Sequence, residues 1–475
     1  MAAPNTKPFP VPNGMRSFWH REQHALENHR STENLPSECD ILIIGAGYAG
    51  VSTAYHILQD NPAPPSVVIL EARQACFGAT GRGHIRPSPV LPIIKHADKH
   101  GLEAAVELSD FEAEHIPAIR DVIEKEGIEC DFTMTRSFEI FLQEDHSKKI
   151  EEKFNELIKS GLSLRQDVQY TSKNAERVSG VKSAKGCLHH TAAHIWPYKF
   201  VLHLLSSLLS RFPDIVNLQT NTPVTGISET PDPTTGEWTV TTESRGAIKA
   251  KKVILATNAY TSAIAPEYTG KIVPVRGICS RILTPAGKPA PYLPNTYSLQ
   301  WGAEGYDYLI PRPDGSIIVG GGRGSYVSNL GNWYGNTNDT EPIQAGKGYF
   351  DGYMQRHFIG WEDSDAYTEQ VWSGVMGYSA DLLPHAGPIP DKPNQYILAG
   401  FSGHGMPMAF LTGKGIAKMV RNMNDGKGGG NVAFEETGIP RLYRTTRERL
   451  DSTSNEILTL NFGIRGVENE RDANN

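Results

Sequence analysis

DILIIGAGYAGVSTAYHILQDNPAPPSVVILEAR, residues 40–73, is the stretch that decides the fold of this chain. Its first aliphatic run is typical of a buried strand, and glycines follow in G-x-G-x-x-G register. A helix-compatible segment and a second apolar run that ends on Glu71 complete a strand–turn–helix–strand unit. A glycine-rich turn in another kind of α/β protein would lack this ordered context. The stretch therefore predicts a Rossmann-type domain that binds an adenine dinucleotide.

Each part of this unit has a physical role. Gly45 permits the tight turn out of the strand, Gly47 lets a pyrophosphate approach the backbone, and Gly50 lets the helix pack closely on the strand. The helix N-terminus offers N–H groups and the positive end of its dipole to the phosphates. Glu71 is placed to accept hydrogen bonds from an adenosine ribose, which argues against a 2′-phosphate at that position.

The composition is that of an ordinary globular protein. The chain has 475 residues, of which 39% are hydrophobic and 21% charged, so it is long enough for more than one domain. Its net charge of -7 provides no basic footprint for nucleic acid, and no apolar run is long enough to span a membrane. The 5 cysteines are scattered without CxxC or metal-ligand spacing, which is typical of a reducing compartment. We therefore expect a cytoplasmic protein that binds neither nucleic acid nor membrane.

Later segments repeat features of the opening unit. The loop CFGATGRG (76–83) comes soon after Glu71, and its small residues let the backbone approach a bulky planar ligand. The buried run KVILA (252–256) is expected to join the same parallel sheet as residues 41–44. The stretch GFSGHG (400–405) connects another buried strand to a helix of small residues, so a second helix N-terminus can face the same ligand.

Two other features of the sequence exclude further binding sites, and a third concerns the shape of a helix. The glycine run 320–324 follows a strand but precedes no amphipathic helix, so we exclude a second dinucleotide site there. His189, His190 and His194 have no standard metal-ligand spacing and no accompanying acid, so we predict no metal site. Pro117 should bend or break the helix in which it lies.

Together, these segments resemble the D-amino-acid-oxidase-like FAD-dependent oxidoreductases, the group that contains glycine oxidase, sarcosine oxidase and gamma-glutamylputrescine oxidase. Within this group, the chain resembles the gamma-glutamylputrescine oxidase-like branch most. The segments WPYK (196–199) and MGYSAD (376–381) carry that resemblance. The stretches that carry the family resemblance are IGAGYAG (44–50), LEAR (70–73), GATGR (78–82), VILATNAY (253–260) and GFSGHG (400–405).

The resemblance implies one FAD, held extended, with Val224 offering backbone atoms to the adenine and the late glycine turn lying near the pyrimidine end of the flavin. A covalent link to the flavin through His84 or Cys76 is left open. The residues expected to bind FAD are Gly45, Ala46, Gly47, Tyr48, Ala49, Gly50, Glu71, Ala72, Arg73, Ala79, Thr80, Gly81, Arg82, Gly83, His84, Val224, Ala256, Thr257, Gly403, His404, Gly405 and Met406.

The fold class that follows is α/β (α+β overall), a Rossmann-type FAD-binding domain into which a mostly antiparallel-sheet substrate domain is inserted. An N-terminal arm with no function of its own is expected to lie on the surface, and a C-terminal tail to pack there. The predicted ranges are 1–37 for the arm, 38–98, 187–262 and 366–423 for the FAD-binding domain, 99–186 and 263–365 for the substrate domain, and 424–475 for the tail.

The resemblance also implies a reaction. Hydride passes from a carbon bearing an amine to the flavin, and the resulting imine is hydrolysed by water. The expected substrate is a small amine or amino acid, and the expected electron acceptor is oxygen, which gives hydrogen peroxide. The alternatives are a dehydrogenase that uses a different acceptor and an FAD-binding subunit without turnover.

The substrate region is expected to be walled by aromatic side chains. Tyr308, Trp372 and Tyr378 are the candidates for this wall, with Trp301 and Tyr306 behind them.

Fewer polar side chains are candidates for contact with the substrate or the flavin. A substrate carboxylate would need an arginine, for which Arg86 is the first candidate and Arg312 and Arg276 are alternatives. His404 is expected to influence the flavin or to carry a proton.

Overall fold

The chain folds around two eight-stranded sheets in a computed structural model that describes residues 7–82, 87–162, 167–288, 290–302, 305–421 and 432–460. The strands are β1 (Glu38–Ile44), β2 (Val67–Leu70), β3 (Thr133–Phe141), β4 (Gln169–Thr171), β5 (Gly186–His194), β6 (Val216–Gln219), β7 (Val224–Ile227), β8 (Trp238–Thr242), β9 (Ala247–Leu255), β10 (Ile272–Leu283), β11 (Thr296–Gln300), β12 (Tyr306–Pro311), β13 (Ile317–Gly321), β14 (Tyr367–Ser379), β15 (His385–Pro388) and β16 (Gln395–Ala399). The α-helices are α1 (Tyr48–Leu58), α2 (Leu91–His100), α3 (Leu102–Glu126), α4 (Glu144–Lys159), α5 (Ala175–Ser179), α6 (Pro197–Arg211), α7 (Tyr353–His357), α8 (Ala409–Val420) and α9 (Arg447–Asp451).

The first sheet contains the opening strand. Its order is β15-β16-β9-β1-β2-β6, with β8 also paired to β9 and β7 to β8. The pairs of β1 with β2 and with β9 are parallel, and Ile43 lies between Ile69 and Ile254. These aliphatic strands are buried on both faces, as parallel strands covered by helices must be. The expectation that residues 252–256 join the sheet of residues 41–44 is confirmed.

Helices α1, α6 and α8 cover one face of this sheet. Glycines determine how closely α1 approaches the first strand and how closely α8 approaches α1. A Cβ added at Gly50 would lie 1.9 Å from the carbonyl oxygen of Gly45, and one added at Gly413 would lie 3.0 Å from the backbone nitrogen of Thr53. Glycine is therefore required where α1 meets the first strand, and it fits the closely packed contact between α8 and α1.

The second sheet has the order β14-β10-β13-β12-β11-β3-β5-β4. Its pairs are antiparallel except for β11 with β3. The long strands β10 and β14 pair along their length. Ile272 is opposite Ser379 at one end, and Leu283 is opposite Tyr367 at the other. The predicted fold class, with a Rossmann-type part and a mostly antiparallel second sheet, is confirmed.

Two strands lie in a different sheet from the one their predicted ranges assigned. Both β5 and β14 belong to the second sheet, although residues 187–194 and 366–379 fell within the predicted FAD-binding domain. Periodicity shows that a segment is a strand but not which sheet it joins, because hydrogen-bond partners are distant in sequence. We propose that the substrate domain includes both strands.

Of the bend or break predicted at Pro117, the break does not occur, because helix α3 continues through this residue. Proline removes one backbone hydrogen bond. The buried positions Leu108, Ile116 and Ile119 keep both halves of the helix packed on the core. None of the helices in the described part of the chain is long and apolar enough to cross a membrane.

Residues 17–20 of the N-terminal arm are buried in the core, whereas the arm was expected to lie on the surface. Phe18 and Trp19 are 2% and 0% exposed, and both rings pack against Trp196. The Trp196 indole also donates to the carbonyl oxygen of Trp19 at 2.8 Å. These aromatic contacts hold the arm across both sheets.

Candidate active site

An elongated cavity lies between the carboxyl ends of the first sheet's parallel strands and one face of the second sheet. Gly45 and Glu71 line it where β1 and β2 end, and Thr257 lines it just beyond the end of β9. Cys279 of β10 and Tyr308 of β12 line its other side. Ligands of open α/β sheets bind outside the carboxyl ends of the strands, so this is the expected position for a dinucleotide.

The glycine turn at the end of β1 is shaped by close backbone contacts. Gly45 has a φ of +115°, and a Cβ there would lie 2.6 Å from the carbonyl oxygen of Ala256. Gly47 precedes α1 and provides no side-chain cap. The amide of Tyr48 donates to Thr80 Oγ1 at 2.9 Å, which brings the early glycine loop beside the helix N-terminus. The first turn of α1 thus presents backbone donors at the cavity wall.

Glu71 is held by backbone donors on both of its oxygens. Oε2 accepts from the amide of Ala46 at 2.9 Å, and Oε1 accepts from the amide of Arg73 at 3.0 Å. A carboxylate can accept further hydrogen bonds, so Glu71 can still receive hydroxyl donors from the cavity that it lines.

The second glycine turn, predicted at residues 400–405, enters the same cavity. Gly400 and Gly403 have φ values of +75° and +82°, which L side chains rarely adopt. The Oδ1 of Asn258 accepts from the amide of Gly400 at 3.0 Å and so ties this turn to the end of β9. His404 within the turn and Met406 just after it line the cavity.

His404 is paired with a buried carboxylate from a distant helix. Its Nε2 lies 2.9 Å from Oε2 of Glu112 on α3. The Glu112 side chain is 3% exposed and that of His404 is 30% exposed. The carboxylate can therefore orient the imidazole, while the ring remains accessible from the cavity. Sequence reasoning missed Glu112, since it is one of many acids on an amphipathic helix.

Tyr308 and Cys279 form part of one wall of the cavity. The Tyr308 hydroxyl lies 3.0 Å from Cys279 Sγ. The Tyr308 ring lies across the neighbouring strand, where a Cβ added at Gly320 would be 2.2 Å from its Cζ. Burial raises the pKa of Tyr308 well above its ordinary value, so its hydroxyl stays neutral at physiological pH.

Arg323 is a site residue that sequence reasoning missed. It lines the cavity, donates to the Tyr378 hydroxyl, and its guanidinium carbon lies 5.5 Å from the centre of the Tyr378 ring. A Cβ added at Gly403 would lie 2.7 Å from the Tyr378 hydroxyl oxygen, so this pair also adjoins the second glycine turn. An arginine within a glycine run, directly after a strand in the range predicted for the substrate domain, was the available clue.

Most of the residues predicted from the sequence come together here. Ala46 and Gly50 do not line the cavity but shape the turn beside it. Gly83, His84 and Arg86 lie outside the described residues, and Gly81 and Arg82 are described only as part of a short 3₁₀ turn. The predicted residues that line the cavity are Gly45, Gly47, Tyr48, Ala49, Glu71, Ala72, Arg73, Ala79, Thr80, Val224, Ala256, Thr257, Tyr306, Tyr308, Gly403, His404, Gly405 and Met406.

Other predicted residues lie elsewhere. Trp372 does not wall the cavity, because it is fully buried in the apolar cluster that contains Phe18 and Trp19. Arg312 pairs with Asp131 at 2.5 Å and lies over the arm aromatics. These corrections share one cause, since the arm folds over the second sheet and covers side chains that would otherwise face solvent or ligand.

The remaining expectations concern Arg276 and the histidines of β5. Arg276 donates to the carbonyl oxygen of Glu341 at 2.8 Å and does not line the cavity. His190 does have an acid nearby, since its Nε2 lies 3.5 Å from Oε1 of Glu139. No group of at least three metal-ligating side chains occurs among the described residues.

Comparison with known proteins identifies the family. The sequence profile of the FAD dependent oxidoreductase family DAO matches residues 40–419. The chain belongs to the DAO family of FAD-dependent oxidoreductases. It is 25% identical over 405 residues to gamma-glutamylputrescine oxidoreductase of Escherichia coli K12, covering 82% of this chain and 85% of that protein. It is 23% identical over 412 residues to the probable oxidoreductase OrdL of Haemophilus influenzae, covering 85% and 87% respectively.

Solved structures share the DAO fold. Glycine oxidase from Geobacillus kaustophilus superimposes with a TM-score of 0.66 at 16% identity, covering 86% of this chain and 99% of that one. L-proline dehydrogenase from P. horikoshii gives a TM-score of 0.61 at 19% identity, covering 82% and 93%. At these identities the likeness establishes the fold alone.

The residues present fit the FAD of the DAO family. The amides at the start of α1 and the space above Gly47, where an added Cβ would approach only Thr80 Oγ1 at 3.1 Å, suit a pyrophosphate. The Glu71 carboxylate suits ribose hydroxyls. Val224, Ile264 and the arm residue Phe9 form an apolar end of the cavity that suits an adenine. Phe9 was not predicted, because the arm has no motif that links it to a dinucleotide.

Proposed function

We propose that this protein is an FAD-dependent oxidase that oxidises the C–N bond of an amine or amino acid and uses oxygen as electron acceptor. The observation that carries the proposal is the continuity of the cavity from the glycine turn at Gly47 to Tyr308 and Arg323. A ligand at the Tyr308 end would share one cavity with a dinucleotide at the Gly47 end. The names of the relatives, gamma-glutamylputrescine oxidoreductase and glycine oxidase, add support, since both refer to amines or amino acids.

In the proposed reaction the C–H bond breaks with its electron pair, the amine nitrogen forms a C=N bond and loses a proton, and water hydrolyses the imine to a carbonyl compound and an amine or ammonia. Bound FAD supplies the acceptor for the electron pair. Oxygen then takes both electrons with two protons and becomes hydrogen peroxide.

The protein's part in this chemistry is positioning and exclusion of water. Tyr308 and Cys279 present a rigid wall, since each is fixed by the other at 3.0 Å. Because the Tyr308 phenol is neutral, it can donate a hydrogen bond but does not act as a base at neutral pH.

The proton of a substrate ammonium must leave before its carbon can release hydride. His404 is the residue that we assign to this transfer, because it lines the cavity and is oriented by Glu112. Since Nε2 contacts Glu112, the proton exchanged with the substrate would be held at Nδ1 of the imidazole.

Anaerobic mixing tests the proposal. The purified protein with bound FAD is mixed with primary amines, secondary amines and amino acids, and the absorbance of the oxidised flavin is followed, with free FAD as the control. We expect at least one amine to bleach the flavin, and equimolar peroxide to form when air is admitted. If the flavin reoxidises only with an artificial acceptor, the assignment of oxygen is wrong. If no amine bleaches it, the protein does not have the proposed function.

A further inference from the structure

Part of the N-terminal arm reaches the adenine end of the dinucleotide cavity. We call residues 9–16 of the arm the strap. Phe9 and Pro10 line the cavity. The half-buried Phe9 side chain packs on the apolar cluster that contains Val224 and Ile264. The strap therefore contributes to the wall of the cofactor site, although it lies outside the motif that predicts that site.

A buried guanidinium holds the strap in place. Nη1 of Arg73 donates to the carbonyl oxygen of Val11 at 3.1 Å and to Oδ1 of Asp339 at 3.0 Å. We call these two contacts the latch. Arg73 follows β2 and lines the cavity, whereas Asp339 lies in the long loop between β13 and α7. The Arg73 amide also donates to Glu71, the acid that suits the ribose. The latch thus joins the strap to the end of the first sheet and to a loop that follows the second.

The strap passes directly over the latch at Gly14. A Cβ added there would lie 2.5 Å from Arg73 Nη1 and 2.7 Å from Asp339 Oδ1. The φ of Gly14 is not in the positive range, so the lack of space and not the backbone conformation requires glycine. The next amide, that of Met15, donates to the carbonyl oxygen of Asp339 at 2.8 Å. Because both side chains of the latch are buried, a larger residue at position 14 would separate the strap from it.

The other end of the strap is fixed in the core. Arg16 pairs with Glu27 at 2.6 Å, and its carbonyl oxygen accepts from Nε2 of Gln370 on β14 at 3.0 Å. The buried aromatic residues 18–19 follow at once. The cavity end at Phe9 is held instead by the latch and by the wall of the cavity. Opening of the latch would therefore free the cavity end of the strap without unfolding the core.

We propose that the strap is part of the FAD site, in which Phe9 and Pro10 cover the adenine end of the cavity and the latch keeps them there, so that opening of the strap limits the release of FAD. An apolar cover removes the adenine end of the dinucleotide from water, which favours the bound state. The latch slows opening, because the hydrogen bond from a charged guanidinium to Val11 must break first. Retention of the cofactor is independent of the reaction proposed above.

Release of FAD from the loaded enzyme tests the cover. The holoenzyme is diluted into a phosphodiesterase that splits free FAD into FMN and AMP, which makes release irreversible and raises the flavin fluorescence. Phe9→Ala removes most of the apolar side chain at the adenine end, so we expect it to release FAD about 10-fold faster than the wild type. Phe9→Leu keeps more apolar area and should show a smaller increase than Phe9→Ala.

Gly14→Val tests the latch without removing a charge. Since the strap would lose its hydrogen bond from Arg73, we expect release at least about 10-fold faster than from the wild type. The double variant with Phe9→Ala should release FAD at the rate of the faster single variant, because a lifted strap no longer places residue 9 at the cavity.

Two matched variants serve as controls. Phe154→Ala truncates a half-buried phenylalanine on α4 that does not line the cavity. Gly348→Val adds the same side chain as Gly14→Val at an exposed position, where a Cβ would meet only Oδ2 of Asp351 at 3.7 Å. Both should release FAD as the wild type does. The absorbance of the bound flavin and the far-UV circular dichroism show that each variant is loaded and folded.

The outcomes are distinct from those of the amine experiment, because none of these measurements requires turnover. Unchanged release from Phe9→Ala, or from folded Gly14→Val, overturns the proposal. An equal increase in Phe154→Ala also overturns it, since the effect would then be a general loosening of the protein. The same holds if the flavin stays with acid-precipitated protein, because a covalently linked cofactor is not retained by a strap. If Gly14→Val does not fold, Phe9→Ala and Phe9→Leu decide the question.

Discussion

The carboxylate of Glu112 lies 2.9 Å from Nε2 of His404, although the two residues are 292 positions apart. Glu112 is on helix α3, and His404 lies in the second glycine turn. A buried carboxylate beside an imidazole at a cavity wall restricts both the orientation of the ring and the nitrogen that carries its proton.

Removing the charge of Glu112 tests whether it positions His404. Glu112→Gln keeps the size of the side chain, so we expect kcat with the best amine to fall by about 10-fold to 100-fold, the value of one hydrogen bond to a charged group, with the protein still folded. Glu112→Ala should lower kcat further than Glu112→Gln does. A double-mutant cycle with His404→Asn measures the coupling, and additive losses in kcat would show that the two residues act independently.

Gly47→Val should abolish binding of FAD. The added side chain would enter the space above the turn, where a Cβ already approaches Thr80 Oγ1 at 3.1 Å. The purified variant should be colourless, with its affinity for added FAD weakened by at least about 100-fold, which a fluorescence titration measures. Gly226→Val is the matched control, since a Cβ at Gly226 meets nothing within 4 Å. A yellow, FAD-saturated Gly47→Val protein would contradict the assignment.

The ion pair of Arg73 and Asp339 should contribute strongly to stability. The distance between Arg73 Nη1 and Asp339 Oδ1 is 3.0 Å, and the two side chains are 5% and 1% exposed. Asp339→Ala leaves a buried guanidinium without its carboxylate, so the free energy of unfolding should fall by about 3–5 kcal/mol. Urea denaturation of the FAD-loaded protein measures the change. Glu435→Ala, which removes an exposed carboxylate paired with Arg444, should lower the free energy of unfolding by less than about 1 kcal/mol.

His115 should make the protein sensitive to acid. It is fully buried, its Nδ1 lies 2.8 Å from the carbonyl oxygen of Phe111, and its Nε2 accepts from the amide of Leu411 at 3.1 Å. Both contacts suit the neutral ring. Burial lowers the pKa of His115 from its ordinary value of 6.5 to about 4.

The sign of the effect follows from this shift. Between pH 6.5 and about 4 the unfolded chain binds a proton at this residue that the folded chain does not, so stability is present above that window and is lost as pH falls through it. Between pH 7 and pH 5 the loss should be about 2 kcal/mol. His115→Gln should be less stable at pH 7, and its free energy of unfolding should fall by about 2 kcal/mol less over this range. Equal slopes for the two proteins would show that His115 is not responsible.

The sequence was most informative where structure depends on residues close together in the chain. The turn at Gly45 and Gly47 and the acid at Glu71 were both predicted, because each depends on residues close together within one strand–turn–helix–strand unit. It was least informative about Trp372, whose place in the core depends on an arm more than 300 residues earlier in the sequence.

By itself, therefore, the sequence determined that this chain has a dinucleotide-binding unit, because the glycines, the strand and the acid of that unit act within residues 40–73. The family resemblance carried by the later segments then implied that the dinucleotide is FAD. Only the tertiary structure decided that Glu112 orients His404, that Tyr378 holds Arg323 at the cavity wall, and that Phe9 closes the far end. Those contacts depend on how two sheets and an arm pack together, and side-chain periodicity specifies which face of an element is buried but not which partner covers it.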